Sequence, residues 1–427
     1  MAISRRKFIG SSAAAVIVAG TMAKGKVFGA NSKVRVACCG IGGRGKDHVK
    51  EFSTSELSEV VALCDTDQRT LEARAKTLKD ATGKDARLTS DAREIVSDPS
   101  VDVVSIATPN HWHSLLAIWA VQNGKDVYVE KPLSHNIFEG RQLAAAAAKS
   151  DRIVQHGTQS RSSAKWMQYM QALQSGCIGE VYMARGLCYK NGNRGSIGFA
   201  DNAAAPDYLN WEMWQGPAEE QPYNEKYHPY TWHWFWNYGN GEIGNQGVHQ
   251  MDIGAWGMNK GLPVKVFSEG GRFTYKDQGQ TPNTHVATFK YADGTMFVFE
   301  VRSRFTNDEG GVKVGNLFYG SDGYLTEEKG FFDKEDKPMQ VPMADVETKG
   351  AFGNFLAAVH ARDKSMVHGT PEQGHISCVH CHLANISYRL GRSLEFDPET
   401  ERFKNDDEAN SMLSRAYRPG FEVPQLA

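Results

Sequence analysis

Four short apolar runs alternate with longer helical patterns over the first third of the chain. The runs cover residues 34–39, 60–64, 101–107 and 127–129. Strand-like runs separated by helical segments are typical of βαβ units and predict a parallel, doubly wound sheet. The carboxyl ends of such strands meet along one edge of the sheet, where ligands bind. The pattern therefore predicts a binding site at the ends of these four runs.

The ends of the first two runs carry residues suited to a dinucleotide. The first run enters Gly40, Ile41, Gly42, Gly43, Arg44 and Gly45, a match to G-x-G-x-x-G, and the second ends in Asp65. The glycines permit a tight turn and close approach of the backbone to a pyrophosphate at a helix N-terminus. A carboxylate after the second strand accepts hydrogen bonds from ribose hydroxyls and repels a 2′-phosphate. These residues predict NAD, with NADP as an alternative because Arg44 or Arg69 can accommodate a phosphate. A turn or helix cap is the alternative role of Asp65.

The other two strand ends complete the predicted edge. They carry Thr108, Pro109, Asn110 and His113 after the third run, and Glu130, Lys131 and Pro132 after the fourth. A neighbouring Glu–Lys pair is by itself more often a solvated ion pair than a site. The convergence of four strand ends instead favours cofactor contacts by these residues and by the glycine loop.

These motifs together resemble the glucose–fructose oxidoreductase and inositol dehydrogenase family (Gfo/Idh/MocA). The resemblance extends through residues 176–181 and 244–252 and covers nearly the whole chain after the N-terminal segment. It implies a Rossmann domain followed by an α+β domain with an open, largely antiparallel sheet, whose outer face mediates oligomerisation. It also implies nicotinamide-dependent oxidation of a sugar-like alcohol, with Lys131 as the active-site lysine and His249 as the general acid/base.

One position departs from the family pattern. Many members carry Asp four residues before the histidine, where this chain has Asn245. Residues four apart share a helix face, so Asn245 and His249 are both predicted to meet the substrate. An amide can orient a substrate but cannot take its proton, which leaves the proton to Lys131 and His249. Asp252 is predicted near the same face, where it can contact substrate and hold the imidazole in one tautomer.

Aromatic residues are concentrated between residues 211 and 238. Five of the nine tryptophans lie there: Trp211, Trp214, Trp232, Trp234 and Trp236. Aromatic faces stack on the C–H faces of sugars, so the segment is predicted to form a substrate wall or lid, with Trp232 in contact with substrate. A loop packed by its own aromatic residues is the alternative.

The rest of the chain is compatible with an α+β domain. Residues 181–189, 265–275 and 284–303 are strand-like, and the turn at 292–294 predicts a hairpin. We expect a dinucleotide-binding domain over residues 31–155 and a substrate-binding and oligomerisation domain over 156–427. Cys378–His382 matches a C-x-x-C-H haem pattern, but a structural helix bordering the site is the preferred interpretation because no second ligand cluster accompanies it. No metal site is predicted.

The first 30 residues resemble a twin-arginine signal peptide. Arg5, Arg6, Lys7 and Phe8 precede a short apolar stretch, too short to span a membrane. A disordered basic N-terminus is the alternative. Export by this route predicts a periplasmic protein that folds first, keeps free buried thiols and holds its cofactor tightly. The odd count of seven cysteines agrees with free thiols rather than a disulfide framework.

Charge narrows the classes of partner. Lys and Arg number 48 and Asp and Glu 50, for a net charge of −2, which favours neither nucleic acid nor an anionic membrane. The leading hypothesis is an exported NAD(P)-dependent sugar or glycoside dehydrogenase. The second is an NAD-dependent glycoside hydrolase acting by transient oxidation and elimination, and the third a non-catalytic sugar-binding or sensor protein.

Overall fold

A computed structural model describes residues 32–190, 196–274, 276–303 and 306–427, so the predicted signal at residues 1–30 lies outside the described residues. The strands form two sheets, of six and nine strands. No helix in the described ranges is both long and apolar enough to cross a membrane. All seven cysteines lie within these ranges and are free thiols, six of them buried.

The first sheet is parallel, with strand order β3-β2-β1-β4-β5-β6. Its elements are β1 (Val34–Cys39), α1 (Gly45–Thr54), β2 (Ser58–Cys64), α2 (Gln68–Thr82), β3 (Arg87–Thr89), α3 (Ala92–Ser97), β4 (Val103–Ile106), α4 (Asn110–Gln122), β5 (Asp126–Val129), α5 (Ile137–Lys149) and β6 (Val154–His156). The order reverses direction at β1, where the glycine loop begins. The predicted doubly wound Rossmann sheet is confirmed.

The second sheet is mixed and mostly antiparallel, with order β13-β12-β11-β7-β10-β9-β8-β14-β15. Its strands are β7 (Val181–Tyr189), β8 (Lys265–Gly271), β9 (Thr284–Lys290), β10 (Met296–Arg302), β11 (Val314–Gly320), β12 (Gly323–Thr326), β13 (Gly330–Asp333), β14 (Leu394–Asp397) and β15 (Arg402–Phe403). The accompanying helices are α6 (Ala164–Gln174), α7 (Trp211–Gln215), α8 (Val248–Gly257), α9 (Gly350–Ala361), α10 (Pro371–Leu390) and α11 (Asp407–Ser411). The predicted hairpin is confirmed as β9–β10, with Gly294 at φ +91° in its turn. The predicted strand over 265–275 ends at Gly271, and Tyr275 lies outside the described residues.

The two faces of the second sheet differ in cover. Phe289, Phe297 and Phe299 are buried on the face against which α8 and α10 pack. Phe267, Val286 and Met296 point to the opposite face and are 39–40% exposed. The alternation is that of a sheet with one buried and one open face, as the resemblance implied.

Helix α9 returns from the second half of the chain to the first sheet. Phe355 is fully buried in the same apolar cluster as Val34 and Val36 of β1. The ring of Phe352 stacks on that of Tyr128 with centroids 4.6 Å apart. Part of the core of the predicted dinucleotide-binding domain therefore comes from residues 350–361.

Helix α10 contains the C-x-x-C-H sequence, and its side chains there are engaged within the protein. A capping box between Thr370 and Gln373 begins the helix. The Sγ of Cys378 accepts a hydrogen bond from the Leu133 N–H at 3.1 Å, and the His382 Nε2 lies 3.1 Å from the Ser134 Oγ. The predicted helix is present, and it supports the loop that follows Lys131.

Truncation of Phe355 tests whether α9 belongs to the core of the first domain. We expect Phe355→Ala to lower the free energy of unfolding by about 3–5 kcal/mol, because it removes a fully buried ring and leaves a cavity. Urea unfolding followed by circular dichroism measures the change. Met343→Ala, at a residue 40% exposed, is the control and should change stability by less than about 0.5 kcal/mol. Equal stability of the two variants would contradict the packing.

Candidate active site

A cavity of about 540 Å³ lies along the carboxyl ends of the first sheet's strands. This volume is in the range of small-molecule sites, roughly 300–1,000 Å³. One wall contains the glycine loop, Asp65, residues 108–110, and Glu130 with Lys131. The other wall contains residues 228–233 of the aromatic segment. The structure thus brings the four predicted strand-end motifs together around one cavity.

The glycine loop has the local geometry that a pyrophosphate requires. Gly40 has φ +73°, and a Cβ there would lie 2.5 Å from the Thr108 nitrogen. A Cβ on Gly45 would lie 1.7 Å from the Gly40 carbonyl oxygen, so the loop and α1 pack without room for a side chain. Gly42 and Gly43 have no atom within 4 Å of such a position and line the cavity. The loop can therefore admit phosphates against its backbone at the N-terminus of α1.

Asp65 stands at the end of β2 and lines the cavity. Its Oδ2 accepts a hydrogen bond from the Ile41 N–H at 2.9 Å, and its Oδ1 accepts one from the Asp67 N–H at 3.0 Å. Burial raises the pKa of Asp65 to about 6, against the opposing effect of these two hydrogen bonds. The cap of α2 is Asp67 rather than Asp65. Asp65 therefore fixes the glycine loop through its hydrogen bond with Ile41 and presents a carboxylate where a ribose would lie.

The residues after β4 divide between lining and positioning roles. The Thr108 Oγ1 is buried and finds no hydrogen-bond partner among the described residues, although Thr108 lines the cavity. The Asn110 Nδ2 donates to the Asn240 Oδ1 at 3.1 Å. The ring nitrogens of His113 lie 2.6 and 2.7 Å from the backbone carbonyls of Pro132 and Thr108. His113 lines the cavity and also ties two of its loops to each other; its predicted contact with the cofactor stays a prediction.

Glu130 is a buried carboxylate with three partners. Its Oε1 accepts hydrogen bonds from the Arg44 Nε at 2.9 Å and from the His48 Nε2 at 3.2 Å. Its Oε2 accepts one from the Lys131 N–H at 3.0 Å. Burial opposes ionisation, but the hydrogen bond from His48 and the charges of Lys131 and Arg44 hold the pKa of Glu130 below its usual range. Glu130 therefore holds Arg44 of the glycine loop and the backbone of Lys131 in fixed positions relative to each other.

Lys131 reaches across to the second half of the chain. Its Nζ donates to the backbone carbonyl of Asn245 at 2.5 Å and to the Asn245 Oδ1 at 3.2 Å. Asn245 lies in a π-helical turn over Ile243–Gly247, immediately before α8. The turn presents both oxygens of Asn245 to the ammonium, and Lys131 and Asn245 both line the cavity.

His249 is half-buried in the first turn of α8. Burial, and next the charge of Lys131, lower the pKa of His249 to about 3. The imidazole of this ligand-free site is therefore neutral near pH 7. His249 follows Asn245 by four residues, at the start of α8, and it is not among the residues that line the cavity; its predicted contact with the substrate stays a prediction.

Asp252 has different partners from those predicted. It is 1% exposed, and both its oxygens accept from the Arg161 Nε at 2.9 Å. The Ser377 Oγ donates to it at 2.7 Å. The spacing of three residues from His249 suggested an imidazole or substrate contact, but a buried charge is satisfied first by the nearest cation. Asp252 instead joins α8 to Arg161 and α10.

The aromatic segment combines the two roles considered for it. Trp211 and Trp214 stack with centroids 4.7 Å apart and pack with Tyr238, as in a self-packed loop. Trp232 and Tyr230 line the cavity. The residues just before the segment bind the Rossmann domain: the Asn210 N–H donates to the Thr66 carbonyl at 2.9 Å and the Gln68 N–H to the Tyr208 carbonyl at 2.9 Å. The segment therefore covers the cavity beside β2.

Several residues of the site were missed from sequence, and three of them bear on its hydrogen bonding or its polar lining. The first is His48, whose Nδ1 also lies 2.7 Å from the Ser105 Oγ. The second is Gln159, which lines the cavity. The third is Glu242, which is 2% exposed; its Oε2 lies 3.5 Å from the Asn245 Nδ2 and its Oε1 lies 3.8 Å from the Lys190 Nζ. His48 has the periodicity of a buried helix position and gives no functional signal. Glu242 lies two residues before the 244–252 motif, and its charge beside glycines is the sequence feature that could have indicated a role in the site.

Both halves of the chain match one family of known proteins. Residues 34–158 match the Oxidoreductase family, NAD-binding Rossmann fold, and residues 178–423 match the Oxidoreductase family, C-terminal alpha/beta domain (GFO_IDH_MocA). The matched regions correspond to the two sheets described above. The predicted NAD-binding domain is thereby confirmed.

Relatives with assigned names match over shorter stretches. The chain is 33% identical over 149 residues to inositol 2-dehydrogenase 1 of Saccharopolyspora erythraea, which is 34% of this chain and 43% of that protein. It is 34% identical over 123 residues to a glycosyl hydrolase family 109 protein of Shewanella putrefaciens, 28% of this chain and 27% of that one. The matches thus span less than half the length of these relatives.

Solved structures share the fold over most of the chain. The WlbA dehydrogenase of Bordetella pertussis, in complex with NADH and UDP-GlcNAcA, aligns with a TM-score of 0.65 at 18% identity and covers 86% of this chain and 99% of its own. The aldose-aldose oxidoreductase of Caulobacter crescentus aligns with a TM-score of 0.59 at 17% identity, covering 86% and 100%. At such identities the likeness establishes the fold alone.

The raised pKa of Asp65 predicts a pH dependence of cofactor binding. Above about pH 6 the carboxylate is ionised and accepts ribose hydroxyls; as the pH falls through that value it gains a proton and this hydrogen bonding weakens. We expect the affinity of cofactor-free protein for NAD to fall about tenfold between pH 7.5 and 5, as for loss of a charge-assisted hydrogen bond. Calorimetric titration at each pH measures it.

The control variant is Asp65→Asn, which cannot ionise. Its NAD affinity should vary little over the same range, and its preference for NAD over NADP should shrink because the charge that repels a 2′-phosphate is gone. A wild-type affinity that is flat from pH 7.5 to 5 would contradict the role assigned to Asp65.

Proposed function

The chain belongs to the Gfo/Idh/MocA oxidoreductase family, and from this premise we propose that it transfers hydride between a sugar or glycoside hydroxyl and a tightly held NAD. The observation that carries the proposal is the Lys131 ammonium, held by both oxygens of Asn245 at the dinucleotide cavity, with His249 four residues after Asn245 along the chain. A fixed donor next to a proton acceptor is what oxidation of a hydroxyl requires.

The residues have complementary tasks in this reaction. Gly42, Gly43, Thr108 and Asp65 would hold NAD, which when bound supplies the hydride acceptor. The Lys131 ammonium donates to the substrate oxygen and stabilises the negative charge that develops there. The neutral His249 takes the hydroxyl proton, and Asn245 keeps Lys131 in place. The buried Glu130 accepts hydrogen bonds from Arg44 and from the Lys131 N–H, and these keep the loop that carries Lys131 fixed to the glycine loop.

Retention of the cofactor is supported by the aromatic segment and by the N-terminal sequence. The contacts of Asn210 and Tyr208 with the β2–α2 turn hold a cover over the cavity. The twin-arginine-like residues 5–8 favour export of a folded protein to the periplasm. A protein exported away from the cytoplasmic nucleotide pool benefits from a cofactor that stays bound.

The glycosyl hydrolase family 109 relatives favour a second candidate reaction. In that reaction the same Lys131 and His249 would serve transient oxidation of a glycoside, elimination of its aglycone, addition of water and return of the hydride. The two reactions differ in their net products, since a dehydrogenase accumulates reduced cofactor and a hydrolase releases aglycone without net reduction.

The test is to purify the exported protein, identify any bound nucleotide by mass spectrometry, and assay a sugar panel and chromogenic glycosides. We expect bound NAD and net reduction with a sugar. Aglycone release without net reduction would instead establish the hydrolase. Lys131→Met should lower kcat at least about 100-fold while NAD remains bound, because it removes the charge that stabilises the reacting oxygen. A protein that neither contains nor binds NAD would overturn both candidate reactions. Unchanged turnover in Lys131→Met would overturn the chemistry assigned to Lys131.

We further propose that the open face of the second sheet joins copies of this chain. Phe267, Val286 and Met296 expose apolar surface across three adjacent strands, where Val286 is paired with Glu269 and Glu300 on its neighbours. Exposed apolar side chains on the open face of a sheet favour association with a second sheet.

Introducing a charged side chain on this face tests whether it joins copies of the chain. We expect the wild-type protein to be a dimer or larger, and Val286→Glu to shift it toward monomer because a carboxylate would be buried beside Glu269 and Glu300. Light scattering after gel filtration measures the mass. Met343→Glu, exposed elsewhere, should leave the mass unchanged. A monomeric wild-type protein would exclude the proposal.

A further inference from the structure

The order of the strands distinguishes the two ends of the dinucleotide cavity. Lys131 follows β5 on one side of β1, and Asp65 follows β2 on the other side. A carboxylate after the second strand faces the ribose that carries the adenine. Thr66 and Thr70, which come after β2, and Ser90, which comes after β3, also line the cavity. The adenosine half of NAD would therefore lie at the turns that follow β2 and β3.

Asn210, the residue before α7, is bonded to both of these turns. Its N–H donates to the Thr66 carbonyl at 2.9 Å, and its Nδ2 donates to the Ser90 Oγ at 3.2 Å. Its Oδ1 accepts a hydrogen bond from the Met213 N–H at 3.2 Å and thereby caps α7. One side chain therefore fixes the start of α7 and holds it against the turns at the adenosine end.

Helix α7 contributes to the cavity wall from the second half of the chain. Met213 and Trp214 are 4% and 3% exposed and line the cavity. The Trp112 Nε1 donates to the Met213 carbonyl at 2.9 Å, and the His111 Nε2 lies 2.8 Å from the Trp214 carbonyl. Trp112 and Leu116 of α4 line the cavity as well. These side chains form an apolar wall suited to the flat face of an adenine.

Tyr208 adds a second attachment to the turn between β2 and α2. Its carbonyl accepts a hydrogen bond from the Gln68 N–H at 2.9 Å, and the guanidinium of Arg69 lies over its ring, 3.4 Å from the centroid. The Asp67 Oδ2 accepts from the same guanidinium at 2.8 Å. We call residues 208–214 the clamp, because they join the turns after β2 and β3 to the apolar wall at α7 and α4.

We propose that the clamp encloses the adenine of NAD, and that the breaking of its contacts with the two turns limits the rate at which the cofactor enters and leaves. The turns and α7 both belong to the cavity wall, and Asn210 joins them to each other. A nucleotide between them can leave on this side only when these contacts break. The inference rests on NAD as the cofactor and does not depend on the proposed hydride transfer.

The experiment measures exchange of the cofactor in the full-chain protein. Protein loaded with NADH is mixed with excess NAD in a stopped-flow instrument, and the loss of the fluorescence of bound NADH gives the rate of release. We expect Asn210→Ser to speed release about fivefold, because serine can still cap α7 but is too short to reach Ser90. Tyr208→Ala should also speed release, because it removes the contact with Arg69.

A gate has a kinetic signature that a simple binding contact lacks. The contacts of the clamp are present without a ligand, so their loss should speed uptake and release alike and leave the affinity for NADH nearly unchanged. ADP-ribose, which lacks the nicotinamide, should exchange faster by the same factor. Asn237→Ser is the matched control, because the Asn237 Nδ2 donates to the Glu219 carbonyl at 2.9 Å and neither residue lines the cavity. Its exchange rates should equal those of the wild type.

Three results would overturn the inference. They are unchanged release in both clamp variants, equal acceleration in Asn237→Ser, and an effect on NADH that is absent for ADP-ribose. Faster release with a matching loss of affinity would also overturn the gate, since Asn210 would then act as a binding contact. A protein that shows the expected exchange but reduces no sugar would refute the proposed reaction and leave the clamp standing.

Discussion

The ionised carboxylate of Glu130, buried at the end of β5, is the interaction on which the site depends. A buried charge is tolerated only with close partners, and Glu130 has three: Arg44, His48 and the Lys131 N–H. These partners belong to the glycine loop, to α1 and to the lysine loop. Because one carboxylate satisfies all of them, the cradle for the phosphates and the lysine cannot shift independently. The position of Lys131 is thus set by the same group that orders the dinucleotide loop.

The second half of the chain completes what the first sheet begins. Asn240, just before the π-helical turn, accepts from the Asn110 Nδ2 at the cavity rim and donates to the His135 carbonyl at 2.9 Å. Helix α9 fills the far side of the same sheet, and its Phe352 lies against Tyr128 and 5.8 Å from the Arg44 guanidinium. The Rossmann sheet therefore has its core and its site closed by residues more than 100 positions away. A fragment of residues 31–155 alone would lack the contacts that Asn240 makes at the cavity and those that α9 makes with the sheet.

What sequence could predict follows from the range of the interactions involved. The glycine loop, Asp65 and the β9–β10 hairpin depend on backbone conformation within a few residues, so their local residue types specify them. The partners of Asp252 and His113 are set by tertiary contacts with Arg161 and with the Pro132 carbonyl, which no spacing along the chain reveals. The same is true of α9, whose apolar residues indicate burial but not the sheet that buries them. Sequence therefore predicts which residues reach the cavity better than it predicts which of them touch a ligand.

The substitution at position 245 illustrates this difference. Viewed in the sequence, asparagine in place of the family's aspartate removes a group that can take a proton. In the structure, the shorter contact to Lys131 comes from the backbone carbonyl of residue 245, which any side chain would retain. An aspartate would add a carboxylate beside the buried Glu242, which lies 3.5 Å from the Asn245 Nδ2. Two acids at that distance repel, and one would favour the protonated form. The neutral amide instead donates to Glu242 and accepts from Lys131, so it keeps the lysine positioned without a second carboxylate that would compete for a proton in the proposed reaction.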